Sequence, residues 1–170
     1  MGQLRLTILF LSLATISRGQ HVDFDLRKIK FKGIEFATTK GAIIKSLGQG
    51  KKTDTNYDCG FFTNDQPNGP YYQLVYADFN YIGSDKEKFY LQSVTFDNKG
   101  RTKIKYGDKE LDGQTTKEEF IRIFGDKAKE HFDLYPDNDS LILYSKDADD
   151  GARFTFKDGR LLRFEYWTPC

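Results

Sequence analysis

Apolar positions along this chain follow two rhythms, one of helix and one of strand, and each rhythm occurs twice. The segment Thr38-Thr39-Lys40-Gly41-Ala42-Ile43-Ile44-Lys45-Ser46-Leu47-Gly48 is echoed by Thr115-Thr116-Lys117-Glu118-Glu119-Phe120-Ile121-Arg122-Ile123-Phe124-Gly125. In the second copy Phe120, Ile121 and Phe124 share one face at helical spacing. Thr115 as N-cap with Glu118 three residues on predicts a capping box, and Gly125 predicts a left-handed C-cap. In the first copy Ile43, Ile44 and Leu47 form the same stripe and Gly48 closes it. Gly41 stands where the acid would be, so a weaker first helix is expected.

Period-two segments rich in aromatic and β-branched residues follow each helix. Strands are predicted over Tyr57 to Thr63, Tyr71 to Ile82, Phe89 to Phe96 and Arg101 to Tyr106, then over Ser140 to Ser145, Ala152 to Lys157 and Arg160 to Trp167. Asp158-Gly159 is a strong two-residue hairpin turn. The lead-ins match as well, Ile29-Lys30-Phe31 before one helix and Ile104-Lys105-Tyr106 before the other. Long-range self-similarity of this kind predicts an architecture rather than a reactive constellation. The expected class is α+β, built as two tandem repeats of a helix plus an antiparallel sheet over residues 20–106 and 107–170.

A helix ending in Leu47-Gly48 or Phe124-Gly125, followed by a closing hairpin of the form F-x-F-x-D-G-R, resembles the small module of the SmpA/OmlA (BamE-like) envelope proteins and of β-lactamase inhibitor proteins. That resemblance implies a non-enzymatic binding or scaffolding role with a protein partner in the cell envelope. An inhibitor or immunity-type protein that blocks a hydrolase, and a carboxylate-based glycan hydrolase, are the alternatives. The chain lacks the lipobox Cys of the envelope lipoproteins.

The N-terminus changes the expected compartment. Arg5, the apolar run Leu6 to Leu13 and Ser17-Arg18-Gly19 together read as a signal peptide over residues 1–19, with export to the periplasm or beyond. The run is too short for a stable membrane span, and a mature start at Gln20 resembles exported proteins of the Bacteroidota. Without Arg5 and Arg18 the chain keeps 24 basic and 25 acidic residues, a balance that offers nucleic acid no concentrated basic patch. Lys28, Lys30 and Lys32 alternate with Ile29 and Phe31, as on a solvated strand face. Cys59 and Cys170 make an even pair in a chain read as exported, which permits a disulfide.

Candidate chemistry is sparse. Neither a nucleotide-binding loop nor a nucleophile elbow nor a zinc-protease motif occurs, and two histidines leave little material for a zinc or triad site. Asp147, Asp149 and Asp150 head an acidic stretch suited to calcium, although the following Gly comes too early for an EF-hand. No cofactor is called for. The aromatic content of 15% is the stronger signal, and Tyr71, Tyr72, Tyr76, Tyr81 and Tyr90 are too numerous to lie on one face. Those tyrosines, with Phe61 and Phe62 beside Cys59, are the candidate binding surface.

Overall fold

The two lead-ins that look alike in sequence pair with each other. In the computed structural model, which describes residues 23–55, 57–146 and 148–170, β1 (Ile29–Phe31) runs antiparallel to β8 (Lys103–Tyr106), with Ile29 opposite Tyr106 and Phe31 opposite Ile104. β2 (Ile34–Glu35) and β9 (Lys109–Asp112) flank them in a four-stranded sheet. Its apolar side buries Ile29, Phe31, Ile104 and Leu111, while Lys30 pairs with Glu35 at 2.7 Å and Lys103 with Glu110 at 3.0 Å on the wet side. The remaining lysines of the alternating row lie over rings instead, Lys28 5.8 Å from the centre of Tyr106 and Lys32 4.9 Å from that of Phe79.

The remaining strands form one larger sheet. They are β3 (Ala37–Thr38), β4 (Lys51–Asp54), β5 (Tyr72–Val75), β6 (Phe79–Gly83), β7 (Phe89–Thr95), β10 (Ser140–Tyr144), β11 (Gly151–Lys157) and β12 (Arg160–Trp167). Their order is β10-β11-β12-β7-β6-β5-β4, with β3 against β7, and every pairing is antiparallel.

The expected class of two helix-plus-sheet repeats is therefore corrected. Twelve strands in two sheets dominate the described residues, and the three α-helices, α1 (Lys40–Leu47), α2 (Lys117–Phe124) and α3 (Asp126–Leu134), are short. The physical reason lies in the pairing of β7 with β12, Val94 opposite Phe164, which joins strands from both halves in one ladder. A single buried cluster runs from Phe24 to Tyr166 and takes in residues of every region between.

Local signals shift by small steps. The capping box forms one residue later than expected: the Thr116 hydroxyl accepts from the Glu119 N–H at 3.2 Å and the Glu119 carboxylate accepts from the Thr116 N–H at 3.0 Å. Thr115 is instead buried and its hydroxyl accepts from the Asp112 N–H. Gly48 and Gly125 do close their helices at φ 79° and 70°. Gly125 also opens α3, a helix whose Ala128 and Phe132 lie one turn apart and face the core.

The predicted strand over Tyr57 to Thr63 is loop, and Tyr71 to Ile82 is broken into β5 and β6 by a turn. β4 went unpredicted because Lys-Lys-Thr-Asp has no apolar position and stays fully exposed at the sheet edge. The Asp158-Gly159 turn forms as predicted, both residues at positive φ (53° and 72°).

The turn after β7 is held by Asp97, whose carboxylate accepts from the N–H groups of Lys99, Arg101 and Thr102 at 3.0, 3.1 and 2.7 Å. Desolvation works against its charge, but these donors outweigh it and hold the carboxyl well below its ordinary value of 3.8. A depressed folded value means that Asp97 stabilises the fold above the unfolded value and loses that contribution as pH falls through the folded one. In urea unfolding, the gap between the wild type and Asp97→Ala should be widest near neutrality and should narrow below about pH 3.8. A gap of constant width across that range would contradict this account.

Candidate functional site

A row of residues across one face of the large sheet stays unburied. Ile142, Arg153, Glu165, Ser93, Asn80, Val75 and Lys51 stand opposite one another strand by strand, so they share a face, and none of them is buried. Hydrogen bonds run along this row. Ser93 donates to Asn80, Asn80 donates to Gln73 at 2.8 Å, and Gln73 donates to the Tyr57 hydroxyl at 3.2 Å. Arg163 pairs with Glu165 at 3.2 Å. At one end Tyr144 and Trp167 meet edge to face at 5.2 Å over Gly151, the residue that separates them in the ladder.

The loop after β4 stands beside this face and is fixed at three levels. Its base is tied by buried Thr55, which donates to the Tyr71 carbonyl at 3.0 Å, and by Asn64, which donates to the Thr55 carbonyl at 3.0 Å. Phe62 is the plug, packed against Tyr71 (5.4 Å), Tyr90 (5.7 Å) and Tyr166 (5.9 Å). At the tip Cys59 and Cys170 lie at disulfide distance, Cα atoms 5.0 Å apart across 111 residues of sequence. Gly60 at φ 88° brings the loop against the backbone of Pro169, where a Cβ would lie 3.2 Å from the carbonyl oxygen. With Phe62 turned inward, its neighbour Phe61 is left 45% exposed.

Between loop and sheet lies a cleft of about 280 Å³, lined by Tyr57, Phe61, Gln92, Arg153, Glu165 and Trp167, with Phe62 and Tyr166 beneath. The Gln92 amide nitrogen donates to the Tyr166 carbonyl at 3.5 Å. Its Oε1 is buried and has no hydrogen-bond partner among the described residues. Such an acceptor costs about 1–3 kcal/mol relative to a satisfied one.

No family model, curated protein or solved structure matches this chain. The chain's own geometry therefore carries the reading of the site.

The sequence-derived surface fares unevenly. Phe61 reaches the cleft and Phe62 supports it from below. Tyr72 and Tyr81 are buried on the covered face of their strands, and Tyr71, just before β5, is buried against Phe62. Burial, aided by Glu87, pushes the Tyr71 hydroxyl up to about 12, and the still deeper Tyr81 is raised further, chiefly by burial. Tyr72 serves as a clamp: its hydroxyl donates to Asp85 at 2.6 Å and Lys52 sits 4.0 Å above its ring. Tyr76 stacks on Phe79 at 4.5 Å and donates to the Gly48 carbonyl, and half-buried Tyr90 stacks on Tyr166 at 5.9 Å.

Sequence reasoning missed Tyr57, Gln92, Arg153, Glu165 and Trp167 as a group. The alternation within Gly151–Lys157 and Arg160–Trp167 is the signal that could have set Arg153, Glu165 and Trp167 on one side of their strands, and only the pairing of those strands brings them together.

Asp147 lies outside the described residues. Of its neighbours Asp149 is exposed, and Asp150 accepts from the Tyr166 hydroxyl at 2.8 Å, a bond that joins burial in raising that hydroxyl's pKa. No three metal-ligating side chains gather among the described residues. No described helix is long and apolar enough to cross a membrane.

A larger cleft of about 690 Å³ lies between β9 and α2. Its polar groups are already engaged: Thr116 and Glu119 in the capping box, Asp112 with the Gln114 N–H, and Arg160 with the Gln114 carbonyl at 2.8 Å.

Proposed function

We propose that the chain is a non-catalytic binding protein whose recognition site is the cleft beside the Cys59–Cys170 loop, together with the polar face of the large sheet next to it. The observation that carries this reading is the gathering of exposed or half-exposed aromatics, Tyr57, Phe61, Tyr144 and Trp167, along one open face with hydrogen-bonding groups between them. Tyrosine and tryptophan on a rigid sheet offer large contact area at low entropic cost. The leader-like N-terminus suits the same role outside the cytoplasm. A protein partner in the envelope was the expectation from sequence, and it rested on tyrosines that are mostly core. The cleft itself, about 280 Å³, suits a compact ligand or a short segment of a larger one.

A photo-reactive residue introduced at Phe61 tests this reading. It is expected to cross-link a component of the chain's native compartment, whereas the same residue at Lys45, on the exposed side of α1, is expected to give none. Equal labelling from both positions, or none from Phe61, would count against a site at this cleft.

A further inference from the structure

Resting on that binding reading, we infer that the cleft beside the bridged loop takes an uncharged saccharide. Three independent features point to this chemistry. The first is Gln92, which lines the cleft and whose buried Oε1 has no donor among the described residues. Its orientation is fixed, because only the NH2 end of the amide can donate to the Tyr166 carbonyl. A small turn of the Gln92 side chain would bring this acceptor within reach of a donor in the cleft, such as a sugar hydroxyl.

The second feature is the charge set. Arg153 stands directly opposite Glu165 in the ladder, yet Glu165 is engaged by Arg163 and Arg153 forms no ion pair among the described residues. Five guanidinium N–H donors are thus presented beside a carboxylate that retains acceptor capacity. In the lining Arg153 stands with Glu165 and with Asp58, and Arg163 reaches Glu165 from outside it. An anionic ligand would meet two carboxylates and a cationic one the Arg153 guanidinium, whereas hydroxyls, each both donor and acceptor, satisfy both kinds of group.

The third is shape. Phe61, Tyr57 and Trp167 line the cleft and supply aromatic surface for the apolar C–H side of a sugar, while the guanidinium and carboxylate beside them suit its hydroxyls. A volume of about 280 Å³ lies at the lower end of ligand sites. It accommodates a terminal sugar ring, with the remainder of a longer chain lying along the Ser93, Asn80 and Gln73 row.

Trp167 is the one tryptophan of the sequence, so its emission reports on this cleft without a label. The full chain is titrated with maltose, cellobiose, lactose and N,N′-diacetylchitobiose, and with glutarate as a carboxylate probe, by fluorescence and by calorimetry in parallel. At least one disaccharide is expected to give a saturable change in emission matched by heat of binding, and glutarate none. Gln92→Met is expected to weaken that binding at least tenfold while leaving the thermal midpoint unchanged or raised, since it removes the unpartnered acceptor. A purely structural Gln92 would lower the midpoint instead.

The inference is overturned by silence from all four sugars, by a response to glutarate alone, by heat of binding with no change at Trp167, by wild-type affinity in Gln92→Met, or by a lowered midpoint in that variant. Cross-linking from Phe61 combined with silence from the sugars removes this inference and leaves the binding reading in place. Failure of both experiments removes both.

Discussion

Replacing Phe154 with alanine is expected to cost about 3–5 kcal/mol of stability, the range for truncating a large side chain in a packed core. Phe154 is fully buried and touches four other phenylalanines, Phe120 at 4.8 Å, Phe124 and Phe164 at 5.6 Å and Phe24 at 6.1 Å. These belong to α2, to β12 and to the segment before β1, so the cavity would open where helix, large sheet and N-terminal segment meet. Equilibrium urea unfolding gives the loss. Because the buried cluster is continuous, the variant should unfold in one transition, and amide exchange at Val94, in the other half of the chain, should quicken along with that at Phe164. A loss below about 1 kcal/mol, or a biphasic curve in which Val94 keeps its protection, would contradict a shared core.

Removal of the Cys59–Cys170 link should have an effect of similar size by a different route. A bridge that spans 111 residues limits the unfolded chain, and the loop-entropy relation gives about 4–5 kcal/mol. The double variant Cys59→Ala/Cys170→Ala and the reduced wild type should therefore show matching falls in urea midpoint. Mass spectrometry of the untreated protein should show two hydrogens fewer than after reduction. The folded loop has other anchors in Phe62 and Thr55, so Trp167 emission of the folded variant should stay close to that of the wild type. A large emission change with little loss of stability would mean that the bridge shapes the cleft rather than limiting the unfolded chain.

Helix positions were legible in the sequence because their signals are local. The T-T-K segments, the closing glycines and the Asp158-Gly159 turn each depend on a few neighbouring residues, and they misplace a boundary by one residue at most. α3 escaped notice because Gly125 reads as a stop, and a glycine that ends one helix can open the next. The sheet was harder. The second copy of Ile-Lys-Phe pairs with the first, and β7 pairs with β12, contacts that no local pattern encodes.

The tyrosine-rich stretch illustrates the same limit. Alternation says that two faces exist without saying which one is covered, and Tyr72, Leu74 and Tyr81 fell on the covered one. The candidate cleft draws on residues around positions 60, 92, 153 and 165, which come together only through the pairing of β11, β12 and β7.

The central place of β12 has a consequence for how the chain comes together in time. Val94 finds its partner Phe164 only after 70 further residues have been made, and until then the flank of β7 offers unpaired N–H and C=O groups to any passing strand. Non-local pairing of this kind makes folding slow and leaves an early, sticky species. An emerging chain therefore gains from being kept apart from its copies until β12 arrives, and a chain cut short before Arg160 would keep two unsatisfied strand edges, on β7 and on β11, through which to aggregate.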